Sequence, residues 1–156
     1  ALAEKAILRI QAPLGTFTLR ENSVRPIILV GGGTGFAPIK GIIEHALHIG
    51  IPGPIELYWG VRTRNDLYLP DLPRQWARDH AHFRYTPVLS EPDPDWTGRT
   101  GFVHAAVLAD HPDMSGFDVY MAGPPIMVET GSNAFATAGL SREHMFSDAF
   151  AYAKSP

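Results

Sequence analysis

The chain contains no cysteine. That excludes disulfides, a thiol nucleophile, and any zinc or iron–sulfur centre ligated by its own cysteines. Long apolar runs are also missing: none approaches the roughly 20 residues that cross a bilayer. The amino terminus shows no basic stretch leading into an apolar segment with a cleavage site, so the cytoplasm is the expected compartment and no membrane partner is expected. Positive charge is sparse, with 13 Lys and Arg against 16 Asp and Glu for a net charge of −3. These basic residues are scattered, which argues against a nucleic-acid partner. Seven histidines are present, but Glu44-His45-Ala46-Leu47-His48 lacks the His-Glu-x-x-His order that sets two imidazoles beside a base. His45 and His48 are expected on the wet face of a helix, and no metal site is expected.

What is present is a globular composition. At 156 residues and 45% apolar content, the chain fits one domain with a full core and leaves no room for a second complete one. Its most informative stretch is Val30 to Pro38, reading Val-Gly-Gly-Gly-Thr-Gly-Phe-Ala-Pro. The preceding run Pro26-Ile27-Ile28-Leu29-Val30 is short and rich in β-branched residues, as in a strand buried on both faces. The following apolar positions, Ile39, Ile42, Ile43, Ala46 and Leu47, have the spacing of one helix face. Strand, glycine turn and helix form a phosphate cradle. Without Cβ atoms the turn can adopt positive φ and let a pyrophosphate reach N–H groups at the helix amino terminus.

From Pro26 onward strands and helices alternate, the pattern of βαβ units around a parallel sheet. The first helix is expected to stop near Gly50. Further strands are read at Ile55 to Val61, Phe83 to Leu89, Asp118 to Ala122 and around His144 to Ser147, and further helices at Pro70 to Asp79, Phe102 to Ala109 and Pro124 to Ala138. Pro87 cannot donate to a ladder, which predicts an edge for the third strand. Ser90 to Thr100 is too polar and broken for an element. The fold predicted is α/β, a three-layer, doubly wound, five-stranded parallel sheet in the order 3-2-1-4-5. Strands one and four then flank the switch point where such sheets bind ligands, and Gly31 to Pro38 and Gly123 to Pro125 become opposite walls of one crevice. Upstream, Ile7 to Ile10 and Thr16 to Leu19 read as a hairpin around Pro13-Leu14-Gly15 with no sheet to join. It either pairs with something absent or packs on the following domain.

Five segments occur in a telling order: Gly33-Thr34-Gly35-Phe36-Ala37-Pro38; Tyr58-Trp59-Gly60-Val61-Arg62 with Asp66-Leu67-Tyr68; Gly98-Arg99-Thr100-Gly101-Phe102-Val103; Ala122-Gly123-Pro124-Pro125-Ile126-Met127; and Ser147-Asp148-Ala149-Phe150. Together they resemble the nicotinamide-nucleotide half of the ferredoxin-NADP reductase superfamily. The nearest likeness is to the iron–sulfur flavoreductases such as phenol hydroxylase reductase and CDP-6-deoxy-glucoseen reductase. The resemblance implies that residues 1–22 are the last hairpin of a truncated flavin-binding barrel and 23–156 the NAD(P)-binding domain. It implies that Gly33, Thr34, Gly35 and Pro38 seat the pyrophosphate. Arg62, Arg64, Asp66 and Tyr68 are expected to meet the adenosine ribose, and Gly123, Pro124, Pro125 and Met127 to lie against the nicotinamide. Ala122 stands where the family usually has cysteine, which argues against a thiol-assisted step and leaves the turn itself intact. Asp148 and Phe150 match a carboxylate-x-aromatic element whose acid sits by the nicotinamide and whose ring covers the flavin.

The implied cofactors are NADH, with NADPH possible, and FAD in a preceding domain. A carboxylate at Asp66 accepts from ribose hydroxyls and repels a 2′-phosphate, whereas the guanidinium groups of Arg62 and Arg64 suit a phosphate. The function expected is the pyridine-nucleotide half of a flavin-dependent electron-transfer reductase, passing hydride from NAD(P)H to FAD and electrons on to an iron–sulfur centre. Its partners would be a flavin-binding barrel, a ferredoxin-type iron–sulfur domain or protein, and an oxygenase or dehydratase acceptor. The chain by itself is expected to bind dinucleotide without turnover. The alternative is an NAD(P)H-binding regulatory module without catalysis. A flavin-free dehydrogenase lacks its Tyr-x-x-x-Lys pair here, and a P-loop ATPase lacks the Gly-Lys-Ser/Thr sequence.

Overall fold

The computed structural model describes residues 16–149. Ile7 to Ile10, the Pro13-Leu14-Gly15 turn and Phe150 lie outside them. The elements are β1 (Ile27–Gly32), α1 (Phe36–Ile49), β2 (Ile55–Val61), α2 (Asp71–Asp79), β3 (Phe83–Leu89), β4 (Arg99–Thr100), α3 (Val103–Asp110), β5 (Asp118–Gly123), α4 (Pro125–Thr137) and β6 (Met145–Ala149). All strands pair in parallel, in the order β4-β3-β2-β1-β5-β6. The five long strands therefore take the order expected from the sequence. Among the described residues no helix is long and apolar enough to cross a membrane.

Every residue of β1 and β5 is buried, as befits strands covered on both faces. Alternate side chains divide between two cores. Ile27, Leu29, Leu57, Trp59 and Tyr120 face α1 and α2 with Phe36, Ile39, Ile43 and Trp76. Ile28, Val30, Tyr58, Val119 and Met121 face α3 and α4 with Val103, Val107, Val128 and Phe135. α1 buries Ile39, Ile42, Ile43 and Ala46 and ends in a left-handed cap at Gly50, φ 72°. His45 and His48 lie on its exposed side, and His45 Nε2 meets Glu21 at 2.7 Å.

Three expectations need correction. A sixth strand, β4, forms inside the stretch read as irregular, pairing Arg99 with Val88 and Thr100 with Leu89. β3 is thus covered over its last two residues. The new ladder begins beyond Pro87, the residue that cannot donate. Thr16 to Leu19 is not a strand; Phe17 packs edge-on against Tyr120 at 6.2 Å between ring centres, and Leu19 joins the α1/α2 core. The described part of this segment packs on the α/β domain through these two side chains. Finally, positive φ in the first glycine turn is confined to Gly33, at 53°.

Gly35 serves a different purpose. A Cβ there would stand 2.0 Å from the Ala122 carbonyl oxygen and 2.8 Å from the Gly123 Cα. The turn after β1 is thus laid directly on the end of β5. Gly35→Ala is expected to destabilise the fold by about 3 kcal/mol, since backbone cannot yield to the added methyl as a side chain would. Gly41, in the exposed middle of α1 with nothing within 4 Å of an added Cβ, predicts the opposite sign. Gly41→Ala should stabilise by about 0.5–1 kcal/mol through helix propensity. Urea unfolding of the two variants checks both values.

Candidate functional site

The carboxyl ends of β1, β2 and β5 open onto one cleft of about 900 Å³. That lies within the roughly 300–1,000 Å³ of small-molecule sites. Gly32, Gly33 and Thr34 of the first turn contribute one part of its wall, and Pro124, Ile126, Met127 and Thr130 of the β5 turn and α4 another. The rest comes from Gly60 to Thr63 at the end of β2, from Asp66 and Tyr68 beyond it, from Ser90, and from Gly101 to His104 at the start of α3.

An aromatic platform fixes the first turn. Trp59 stacks on Phe36 with ring centres 4.0 Å apart and planes 17° off parallel, and its indole Nε1 donates to the Gly33 carbonyl oxygen at 2.9 Å. Tyr68 meets the Trp59 ring edge-to-face at 5.2 Å. Burial raises the pKa of the Tyr68 phenol above its ordinary value, which keeps it a neutral hydrogen-bonding group. Gly33 has nothing within 4 Å of where a side chain would start. With its positive φ, it leaves the turn open toward the cleft, the geometry that a closely approaching anion requires.

Of the residues expected at the site, Gly33, Thr34, Arg62, Asp66, Tyr68, Pro124 and Met127 line the cleft. Gly35 and Gly123 are buried in the contact between the two turns. Pro38 is in the first turn of α1, and Pro125 is the exposed first residue of α4. Asp148 is half-buried in β6 and pairs in register with Ala122, one residue before the Gly123 turn. Met127 lies close over the glycine turns: a Cβ on Gly32 would meet its sulfur at 2.3 Å.

The charged rim is more elaborate than its sequence. Asp66 Oδ2 accepts from the Thr63 backbone N–H at 2.8 Å and from the Thr63 hydroxyl at 2.9 Å. These bonds hold its carboxyl below the usual carboxylate range. Arg62 donates from Nε and Nη2 to both oxygens of Glu91, each at 3.0 Å. Arg64 turns away toward Asp95, 3.1 Å from Nη2.

Phe102, His104, Ile126 and Thr130 were not singled out by sequence. Phe102 is 70% exposed and Ile126 71% exposed, yet both face the cleft. The Phe102 ring lies parallel to that of His104 within 10°, ring centres 5.8 Å apart. Burial lowers the His104 imidazole pKa, so at neutral pH the ring is uncharged. Phe102 stands in the Gly-Arg-Thr-Gly-Phe-Val segment, the one local signal that could have flagged it.

Comparison with known proteins follows the same lines. Residues 29–132 match the family of oxidoreductase NAD-binding domains. The chain is 44% identical over 149 residues to protein RfbI of Salmonella typhimurium, covering 96% of this chain and 44% of that protein. It is 43% identical over 148 residues to the CDP-6-deoxy-L-threo-D-glycero-4-hexulose-3-dehydrase reductase of Yersinia pestis, covering 95% of this chain and 44% of that one. Among solved structures, the Amycolatopsis cytochrome P450 reductase GcoB superposes with a TM-score of 0.83 at 39% identity, over 89% of this chain and 42% of that one. The chain spans less than half the length of these relatives. The strand order and the meeting of two glycine turns on one cleft agree with that match: the chain belongs to the oxidoreductase NAD-binding domain family, the nucleotide-binding unit of the ferredoxin-NADP reductase superfamily.

Proposed function

We propose that this chain is the pyridine-nucleotide-binding half of a flavin-dependent electron-transfer reductase and that it takes NADH in preference to NADPH. The observation that carries the reading is the open, positive-φ Gly33 at the head of a cleft shared by both glycine turns. In this reading residues 1–22 belong to a flavin-binding barrel, and residues 23–156 form the nucleotide domain. FAD and an iron–sulfur centre are held by modules outside this chain, and an oxygenase or dehydratase component receives the electrons. Support comes from the relatives: the Yersinia protein is a dehydrase reductase and the Amycolatopsis protein a cytochrome P450 reductase.

The bound cofactors supply the hydride chemistry, nicotinamide to flavin. The chain binds and orients. Gly33 and Thr34 present backbone at the amino end of α1 to the pyrophosphate, with Gly35 and Pro38 fixing the turn behind them. Asp66, kept ionised by Thr63, accepts from ribose hydroxyls, with Arg62 and Tyr68 on the same stretch of cleft wall and Arg64 reaching the ribose only on release from Asp95. Phe102 offers an exposed ring face to the adenine. Gly123, Pro124, Pro125 and Met127 form the nicotinamide side of the cleft, where a positioned ring loses little entropy on reaching the reactive geometry. Asp148, beside that turn, would stabilise positive charge on a bound nicotinamide, and Phe150 would shield a flavin held by the neighbouring module.

Calorimetric titration with NADH tests the binding reading directly: saturable binding to the 156-residue chain is expected, and its absence overturns the proposal. Fusion to a flavin-binding barrel, followed by stopped-flow absorbance, should show NADH-dependent flavin bleaching. A regulatory module would bind without bleaching. In the same fusion Phe150→Ala should alter flavin fluorescence, and no change would make Phe150 a packing residue. Asp66→Ser is expected to raise NADPH affinity relative to NADH, an unchanged ratio removing Asp66 from the ribose site. Phe102→Ala should weaken NADH binding by about 1–3 kcal/mol, the usual worth of a base stacked on an aromatic ring, in the same titration.

A further inference from the structure

Arg62 and Arg64 present the feature that sits least comfortably with a preference for NADH. A guanidinium fork matches a phosphate in bidentate geometry; Arg62 lines the cleft at the ribose position assigned above, and Arg64 follows two residues later. Neither fork is free. Both donors of Arg62 that face Glu91 are engaged, at 3.0 Å each. Arg64 Nη2 lies 3.1 Å from Asp95 Oδ1 and its Nε 3.6 Å from Asp93 Oδ2, while its guanidinium carbon sits 5.5 Å from the centre of the Trp96 ring.

The three acids come from one short segment, Glu91-Pro92-Asp93-Pro94-Asp95. Two prolines fix φ at alternate positions and push the residues before them toward extended backbone, so the carboxylates are presented by a stiff strap. The strap is anchored at both ends. Ser90 N–H donates to the Val61 carbonyl at 3.0 Å and Glu91 N–H to the Arg62 carbonyl at 2.8 Å. At the far end the Trp96 indole donates to the Arg99 carbonyl at 2.9 Å, and Arg99 begins β4 on the edge of β3.

We propose that the strap from Glu91 to Asp95 selects the coenzyme by holding Arg62 and Arg64 in internal ion pairs that a 2′-phosphate would have to break. The inference rests on the reading that a dinucleotide occupies the cleft with its ribose near Arg62 and Asp66. Four carboxylates, Asp66, Glu91, Asp93 and Asp95, stand against two guanidinium groups on this rim, leaving two negative charges in excess. A ribose hydroxyl breaks none of these pairs and can donate to a carboxylate. A 2′-phosphate must displace a carboxylate from its arginine and meets the excess negative charge besides. Specificity then arises from repulsion and occupied partners as much as from attraction. Glu91 is the main positioning residue, because its partner Arg62 and its neighbour Ser90 both line the cleft. Each pair is exposed and screened, so the selection is a graded bias that weakens as salt is added.

The test is calorimetric titration of the 156-residue chain with NAD⁺ and with NADP⁺. Glu91→Gln should raise NADP⁺ affinity relative to NAD⁺ about fivefold, the scale of one exposed charge interaction. The triple change Glu91→Gln, Asp93→Asn and Asp95→Asn should raise it further, and Glu91→Asp should keep the original ratio. Adding Arg62→Ala to Glu91→Gln should cancel the gain, because the gain requires the released fork. An unchanged ratio in Glu91→Gln and in the triple variant, with NAD⁺ still bound, overturns this inference alone. A gain that persists without Arg62 overturns it as well. Failure of every form, unaltered chain included, to bind either nucleotide overturns the cleft assignment and the inference with it.

Discussion

Two backbone turns meet with no side chain between them, and the geometry of the cleft depends on that contact. Gly35 lies against the Ala122 carbonyl, and the Gly123 turn lies against Gly32, where an added Cβ on Gly123 would stand 3.1 Å from the Gly32 Cα. Such closeness is possible only because β1 and β5 are direct neighbours, from Ile27 opposite Asp118 to Gly31 opposite Ala122. The switch point of a doubly wound sheet normally leaves a crevice between the segments that depart to opposite faces. Here its base is closed by glycine, and the space left above is bounded by α4 on one side and the β2 extension on the other. Trp59 completes the arrangement from below, gripping the Gly33 carbonyl while stacked on Phe36.

Chemistry at this site is divided between a rigid backbone and an adjustable rim. The cradle carries no charged side chain of its own, so its attraction for an anion is that of oriented peptide dipoles, which neither titrate nor move. The charges lie on the rim, and each of the three nearest the cleft already has a partner. Asp66 is committed to Thr63, Arg62 to Glu91 and Arg64 to Asp95. The residues proposed for seating the nucleotide and those proposed for choosing between coenzymes therefore lie on different segments of chain, and each set can be altered without the other.

The strand order was legible because each long element leaves a local trace. Buried apolar runs, helical spacing from Ile39 to Ala46 and two glycine turns locate five strands, and the crossover rule of doubly wound sheets then orders them and brings both turns to one cleft. β4 left none, because a strand of two residues has no period, and its ladder depends on where β3 loses the donor at Pro87. The ion pairs of the rim were hidden for another reason. Arg62 and Glu91 are 29 positions apart and Arg64 and Asp95 31. They meet because Val61 pairs with Leu89 across β2 and β3, so the residues after one strand run beside those after the other. Composition also said nothing of the separate duties of Gly33 and Gly35, two residues apart, one open to the cleft and the other sealed in the turn contact.

The pairing of β1 also bears on the order in which the molecule assembles. Ile27 pairs with Ile55, 28 positions along the chain, and with Asp118, 91 positions along. Closing the longer loop costs about 1 kcal/mol more entropy than closing the shorter, so the β1-α1-β2 unit is favoured to form ahead of the β1–β5 ladder. The cradle exists only once that distant ladder is in place. A nucleotide consequently has nothing to hold in a half-assembled chain, and its binding free energy is added wholly to the finished fold.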